Sequence, residues 1–423
     1  GVSVRRVGWA DRSAGCVVPP TCVVLCCVCI FFFKATATTE IYTLSLHDAL
    51  PIFVVSALLA LGLVMLYSAT MFHRSGGFWS AQLLWCCIGV VVCLGAAMSD
   101  YKLLEKVSVP ALVLALLLLV EVMIPGIGLE RNGARRWLQL PGTTFQPSEF
   151  AKLVVIIALA HYCERKGRRM GTFKNGLLIP GMVLGLFLGL IFIEPDWGAT
   201  ALLAAVCGLM LILAGTKIRY MAMPVIGVMC AGGYLLSQNT VRLNRITSWL
   251  DPEGTKQGVG YQAWQSLIAL GSGGTTGLGL GNGRQKLGFV PEHQTDFIFS
   301  VIGEELGLIA TMAVVVGFVL FLVCGAFIAM RARDFFGFLL ASGLTFLIGL
   351  QAFINIGVVT SMLPNKGLPL PFISRGGTNL VAMLFCVGVL LSIARFANQE
   401  GRSKADKLKD SDSYSPFRAG TQP

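Results

Sequence analysis

PEHQTDFIFSVIGEELGLIATMAVVVGFVLFLVCGAFIAM, residues 291–330, passes from a polar loop into a long apolar run, and that passage decides the fold class. Between Ile298 and Met330 the charged residues are Glu304 and Glu305. About 20 apolar residues cross a bilayer as a helix, because lipid offers backbone polar groups no partner outside the helix. This run exceeds that minimum, so it is expected to tilt or project.

Comparable runs lie on either side, at roughly 52–72, 78–98, 107–125, 149–163, 177–193, 199–214, 221–237, 335–362 and 378–396. Together they predict an all-α integral membrane protein. It is a ten-span helical bundle with a large extracytoplasmic loop, residues 238–297, between spans seven and eight. That loop holds no run of spanning length, so it reads as a cap over the outer mouth of the bundle. Composition agrees: of 423 residues, 55% are hydrophobic and 13% charged, about half the charge of a soluble domain. The formal charge of +11 sits in the loops, which fits membrane orientation and anionic lipid and argues against nucleic acid. The 13 cysteines show no zinc spacing and read as small buried hydrophobes.

The ends of the chain are read apart from the bundle. Residues 16–33 hold five cysteines and two prolines with no small-residue cleavage site after them. ATATTEIYTLSLHDALPI, 35–52, reads either as a translated sequencing-adapter artefact or as a divergent cytoplasmic tail. Residues 1–50 are therefore set aside, 51–397 form the membrane domain, and 398–423 read as a disordered tail.

Basic residues set the orientation. Arg165, Lys166, Arg168, Arg169 and Lys174 crowd one short loop, and Lys217, Arg219, Arg331, Arg333 and the tail after Arg395 fall on the same side. With ten spans that side is the cytoplasm, and both termini lie there. Arg131, Arg135 and Arg136 fall outside, against the trend, which points to an anionic ligand.

Several segments carry chemistry. Asp296 stands where the polar loop enters the apolar run; partial desolvation there makes a carboxylate a better base. A helix cap by Asp296 or by Thr295 is an equal reading from the residues alone. Glu304 and Glu305 lie roughly 12 Å further down at 1.5 Å per residue, where buried charge demands partners, and read as a structural network. In FQPSEFAKL, 145–153, Pro147 suits a first turn and Glu149 and Lys152 fall three apart on one face. Arg135 and Arg136 suit phosphate or carboxylate, and Trp137 suits an interfacial anchor or a sugar platform. EPDWGAT, 194–200, places Glu194 and Asp196 in a short turn, either a plain turn or part of a divalent-cation site. The glycines of YQAWQSLIALGSGGTTGLGLGNGRQK, 261–286, can form amide nests for a pyrophosphate beside Arg284 and Lys286. NKGLPLPFISRGGTNL, 365–380, reads as a re-entrant-like loop or an ordinary outer one. No Walker pattern is present, so ATP-driven chemistry is not indicated.

Taken in order, GLVMLYSAT, GARRWLQL, FQPSEFAKL, EPDWGAT, the YQ…QS…GSGG…GLG…QK stretch, PEHQTDFIF, GEELG and KGLPLPFIS resemble the SEDS family of bacterial cell-wall polymerases from about Ile52 to Phe396. PSEFAKL, GLVMLYSAT and KGLPLPFIS place it nearer the cell-division branch than the elongation branch. The resemblance implies a peptidoglycan glycosyltransferase of the inner membrane, at the septum, that polymerises lipid II with inversion and releases undecaprenyl pyrophosphate. It implies Asp296 as the catalytic base. Substrate contacts are expected from Arg136, Glu149, Lys152, Lys286, Glu292, Gln262 and Gln265. A divalent cation, Mg or Mn, is expected, with Glu149 and Asp196 as candidate ligands. Partners would be a class B penicillin-binding protein transpeptidase and other division proteins. Two departures bear on substrate contacts: Gln294 stands where the family commonly has His, and FISYGGSS is here FISRGGTN, with Arg375, Thr378 and Asn379. The alternatives are an elongation-type polymerase, a lipid II flippase and a non-catalytic scaffold. Against the flippase, the polar residues gather on the outer side and form no path through the midplane.

Overall fold

The computed structural model describes residues 46–70, 77–131, 134–140, 143–237, 249–251, 253–256, 258, 260–285, 295–365 and 367–413. The chain divides between Thr43 and Leu44, and all described residues belong to the second unit. Among them the α-helices are α1 (Leu46–Thr70), α2 (Gly77–Met98), α3 (Lys102–Met123), α4 (Pro147–Lys166), α5 (Ile179–Ile193) and α6 (Trp197–Leu213). They continue as α7 (Ile218–Ser237), α8 (Tyr261–Gly273), α9 (Ile298–Met330), α10 (Phe335–Val359) and α11 (Gly377–Ser413).

A helix stands at each of the ten predicted runs, and α8 is additional. Among the described residues seven segments are long and apolar enough to cross a membrane: Leu50–Thr70, Trp79–Met98, Lys102–Met123, Lys174–Ile193, Ile298–Met330, Phe335–Val359 and Gly377–Gln399. The chain is a multi-pass membrane protein. α6 is apolar but has 17 residues, about 26 Å at 1.5 Å per residue. α4 carries Glu149, Lys152, His161, Glu164, Arg165 and Lys166, too many ionisable groups for a lipid-facing helix. Its apolar residues are buried all round, from Leu153 to Ile157 and again at Leu159 and Ala160. That is the pattern of a helix enclosed by others; it packs on α3, α6, α10 and α11.

Four features depart from the sequence reading. First, the loop after α3 forms a three-stranded antiparallel sheet of β1 (Gly128–Arg131), β2 (Ala134–Leu140) and β3 (Thr143–Phe145). Leu129 pairs with Trp137 and Leu138 with Phe145, apolar cross-strand pairs that hold a short sheet together. Second, α11 runs on to Ser413, through the stretch expected to be disordered; its Lys, Ala and Leu are good helix formers.

Third, α9 is broken. Gly307 has φ 75 and ψ −170, a backbone open to glycine. In an unbroken helix Leu308 and Ile309 would donate to the carbonyls of Glu304 and Glu305. They donate instead to Gly274 O (2.9 Å) and Thr275 O (3.3 Å), while Glu304 O and Glu305 O accept from Leu278 N (3.0 Å) and Gly279 N (2.9 Å). The fourth departure follows: the glycine-rich stretch of the loop between α7 and α9 is spliced into the backbone ladder of α9.

Candidate functional site

Asp296 lies in the turn that leads into α9. The N-cap position of α9 falls to Phe297, whose side chain makes no cap bond. The turn is fixed from two directions. Asn355 Nδ2 on α10 donates to Asp296 O (2.8 Å) and to Leu368 O (2.7 Å), and Gln351 Nε2, one helical turn away, donates to Pro369 O (2.9 Å). Ser374 Oγ donates to Thr295 O (2.6 Å) and accepts from Leu370 N (2.7 Å). The 367–376 loop is thereby laid against Asp296. A Cβ on Gly367 would stand 2.6 Å from Asp296 Oδ2, so glycine lets the loop backbone meet the carboxylate. Phe372, buried, holds φ 65, a conformation that costs a bulky residue about 1–3 kcal/mol and collects at functional sites. Its carbonyl and Ile373 press on Gly62 of α1, where a Cβ would sit 2.7 Å from Ile373 Cα. Asp296 itself is half-buried.

Five residues further on, the same stretch reaches α4. Lys152 Nζ and Glu149 Oε1 form an ion pair of 2.9 Å with side chains 0% and 4% exposed. Asn379 Nδ2 donates to the other oxygen, Oε2, at 2.9 Å. Thr378 Oγ1 accepts from Gln146 N (3.3 Å), at the head of α4. Residues 374–379 therefore join Asp296 to the Glu149–Lys152 pair. Sequence reasoning flagged Thr378 and Asn379 only as departures and missed Asn355, Gln351 and Ser374. Gln351 and Asn355, polar residues four apart in an apolar helix, are the signal that marks a shared buried face.

The 194–196 turn packs beside this centre, with Gly198 against Leu368. Asp196 caps α6, its Oδ1 accepting from Ala199 N (3.1 Å), and its Oδ2 accepts from Gln146 Nε2 (3.4 Å). Arg136 is turned into the same corner: Nε donates to Glu194 O (3.0 Å), Nη2 to Pro195 O, and Nη1 stands 3.9 Å from Asp196 Oδ2. Arg135 pairs with Glu130 on the sheet surface at 3.2 Å. Arg135 and Arg136 thus have partners within the fold.

Glu194 is buried, and neither carboxylate oxygen has a hydrogen-bond partner among the described residues. Burial, then the Asp196 charge, push its carboxyl up to about 8, with Arg136 pulling the other way. A folded-state value above the unfolded one means a contribution present at low pH and lost as pH rises. The melting temperature in detergent is expected to fall as pH rises from about 5 through about 8 and then level off. In Glu194→Gln that part of the fall should vanish. Parallel curves for the two proteins would contradict this account of the turn.

The glycine-rich loop does not offer the free amide nest expected of it. Gly281 N donates to Glu305 Oε2 (3.1 Å), Arg284 N to Glu304 Oε1 (2.8 Å) and Gln285 N to Glu304 Oε2 (3.2 Å). Gln262 on α8 accepts from Asn365 Nδ2 (3.1 Å), which brings it to the Asp296 loop; Gln265 lies half-buried on the same helix. Lys286, Glu292, His293 and Gln294 lie outside the described residues. The described donors do not make a divalent-cation site: no three acidic, His or Cys groups among them converge, and the oxygens of Glu149 and Asp196 are already bonded. A cavity of about 350 Å³ lies between α2, α3, α4 and α11, walled by apolar side chains such as Trp85, Leu104, Phe150 and Phe385. Phe145 and Thr378 also line it, beside the residues that hold Glu149.

The family model described as "Cell cycle protein", FtsW/RodA/SpoVE, matches residues 48–399. This chain belongs to the FtsW/RodA/SpoVE family. Within that family it is 42% identical over 359 residues to a probable peptidoglycan glycosyltransferase FtsW of Trichlorobacter lovleyi, covering 84% of this chain and 94% of that one. It is 39% identical over 358 residues to stage V sporulation protein E of Bacillus subtilis, covering 83% and 97%. Among solved structures, it is similar to a chain of a peptidoglycan synthase complex that coordinates polymerization and crosslinking. The TM-score there is 0.72 at 26% identity, covering 82% of this chain and 97% of that one. Thermus thermophilus rod shape determining protein RodA gives 0.61 at 25%, covering 82% and 95%. The family expected from the ordered motifs is the family found.

Proposed function

We propose that this FtsW/RodA/SpoVE chain is a peptidoglycan glycosyltransferase that polymerises lipid II into glycan strands. The observation that carries the mechanism is Asp296, half-buried, with its carbonyl held by Asn355 and that of Thr295 before it held by Ser374, against the 367–376 loop. The Asp296 carboxylate takes the proton of the acceptor sugar's 4-hydroxyl. The freed oxygen attacks the donor's anomeric carbon, the bond from that carbon to the phosphate oxygen breaks, and undecaprenyl pyrophosphate leaves with the electron pair. Attack opposite the leaving group inverts the centre. Lys286 is the sequence candidate for neutralising the pyrophosphate; Lys152 acts through the buried pair with Glu149 that secures the floor of the site. The apolar cavity beside α4 suits a polyprenyl chain.

The bundle crosses the membrane ten times, with both termini in the cytoplasm and 238–297 outside, as the basic loops indicate. The relatives named FtsW favour a role at the septum, and the synthase complex favours a crosslinking penicillin-binding protein as partner. Cysteines placed at the exposed Thr172 and Glu253, with reactive native cysteines removed, test the orientation: an impermeant reagent should label 253 and spare 172 in intact cells, and the reverse sinks it. The purified chain given lipid II alone should form glycan polymer. Transbilayer movement of lipid II without polymer would make it a flippase.

A further inference from the structure

Glu304 and Glu305 are 2% and 0% exposed, inside a helix that otherwise carries no charge. Burying two carboxylates in such a place is costly unless each is fully bonded. Among the described residues one loop and one helix supply them with donors. Glu304 takes the amides of Arg284 and Gln285; Glu305 takes the amide of Gly281 and the hydroxyl of Ser68 on α1 at 2.6 Å. Bonds from backbone amides to ionised carboxylates are roughly twice as strong as neutral ones.

The break at Gly307 gives these bonds a consequence. Residues 298–306 form a stub of about two and a half turns, cut from the rest of α9, with Asp296 just ahead of it. An unbroken helix would hold the stub through its own ladder. Here the lower end of the stub is held by the glycine-rich loop, through the backbone splice and the two carboxylates. The contact is close throughout. Gly277 and Gly307 meet backbone to backbone, and a Cβ on Gly283 would stand 2.9 Å from Glu304 Oε2.

We propose that Glu304 and Glu305 are positioning residues for glycosyl transfer, pinning the stub that presents Asp296 to the glycine-rich loop and to α1. They act through Asp296 and touch no substrate. The inference rests on the reading of Asp296 as the base, and its test separates the two.

Glu304→Gln turns an amide nitrogen toward backbone donors, and Ser68→Ala removes one donor from Glu305. In lipid II polymerisation by purified protein, Glu304→Gln should lower kcat about 10²-fold, the scale of a displacement near 1 Å. KM should stay within about threefold, because ground-state binding is untouched. Ser68→Ala should cost about 3–10-fold, one hydrogen bond's worth, and it carries the test if Glu304→Gln fails to fold. Combined with Asp296→Asn, either substitution should cost less than about threefold more, since the group being positioned is already gone. Losses that multiply in the combined variants would overturn the inference, and so would single variants with kcat within twofold of the parent. Full activity of Asp296→Asn by itself would fell the base assignment, and this inference with it.

Discussion

Lys152→Met is expected to destabilise the protein by about 3–5 kcal/mol, because it leaves the Glu149 carboxylate buried with Asn379 as its remaining donor. Denaturant titration in micelles reads the loss. The combined variant Glu149→Gln with Lys152→Met should recover to within about 1 kcal/mol of the parent, since a buried pair replaced as a unit leaves no orphaned charge. Neither variant should polymerise lipid II at the parent rate. A Lys152→Met protein as stable as the parent would mean that Glu149 is solvated or protonated, and that the floor of the site is built differently.

Much of the fold was legible because lipid enforces it. Each apolar run had to become a helix, and the helices stand at the ten predicted stretches. The spacing of Pro147, Glu149 and Lys152 announced a first turn with an ion pair on one face, and that pair is present. What periodicity could not reveal was long-range backbone bonding. Gly307 looked like one more glycine in a long apolar run, and only the meeting with Gly274–Gly279 makes it a break. The glycine-rich loop looked like an anion nest for the same reason: the carboxylates that fill it lie some 20 residues away in sequence. Arg136 broke the charge rule and so pointed to an anionic ligand. Its partners turn out to be carbonyls of the 194–195 turn and the carboxylate of Asp196, about 60 residues along the chain. The strands after α3 hold Arg, Trp and Thr, but they are too short to show a clear alternation, so the sheet went unread.

The proposed mechanism turns on Asp296 as the base of the polymerase. Asp296→Asn keeps the side chain's shape and one of its acceptor oxygens, and Asn caps a helix as well as Asp does. It removes the basicity, together with the negative charge and the second acceptor oxygen. Glycan synthesis from purified lipid II, with expression and melting matched to the parent, is therefore the most direct measurement. A catalytic base predicts a loss of about 10²–10⁴-fold in kcat. An Asn variant that polymerises within a few-fold of the parent would contradict the assignment.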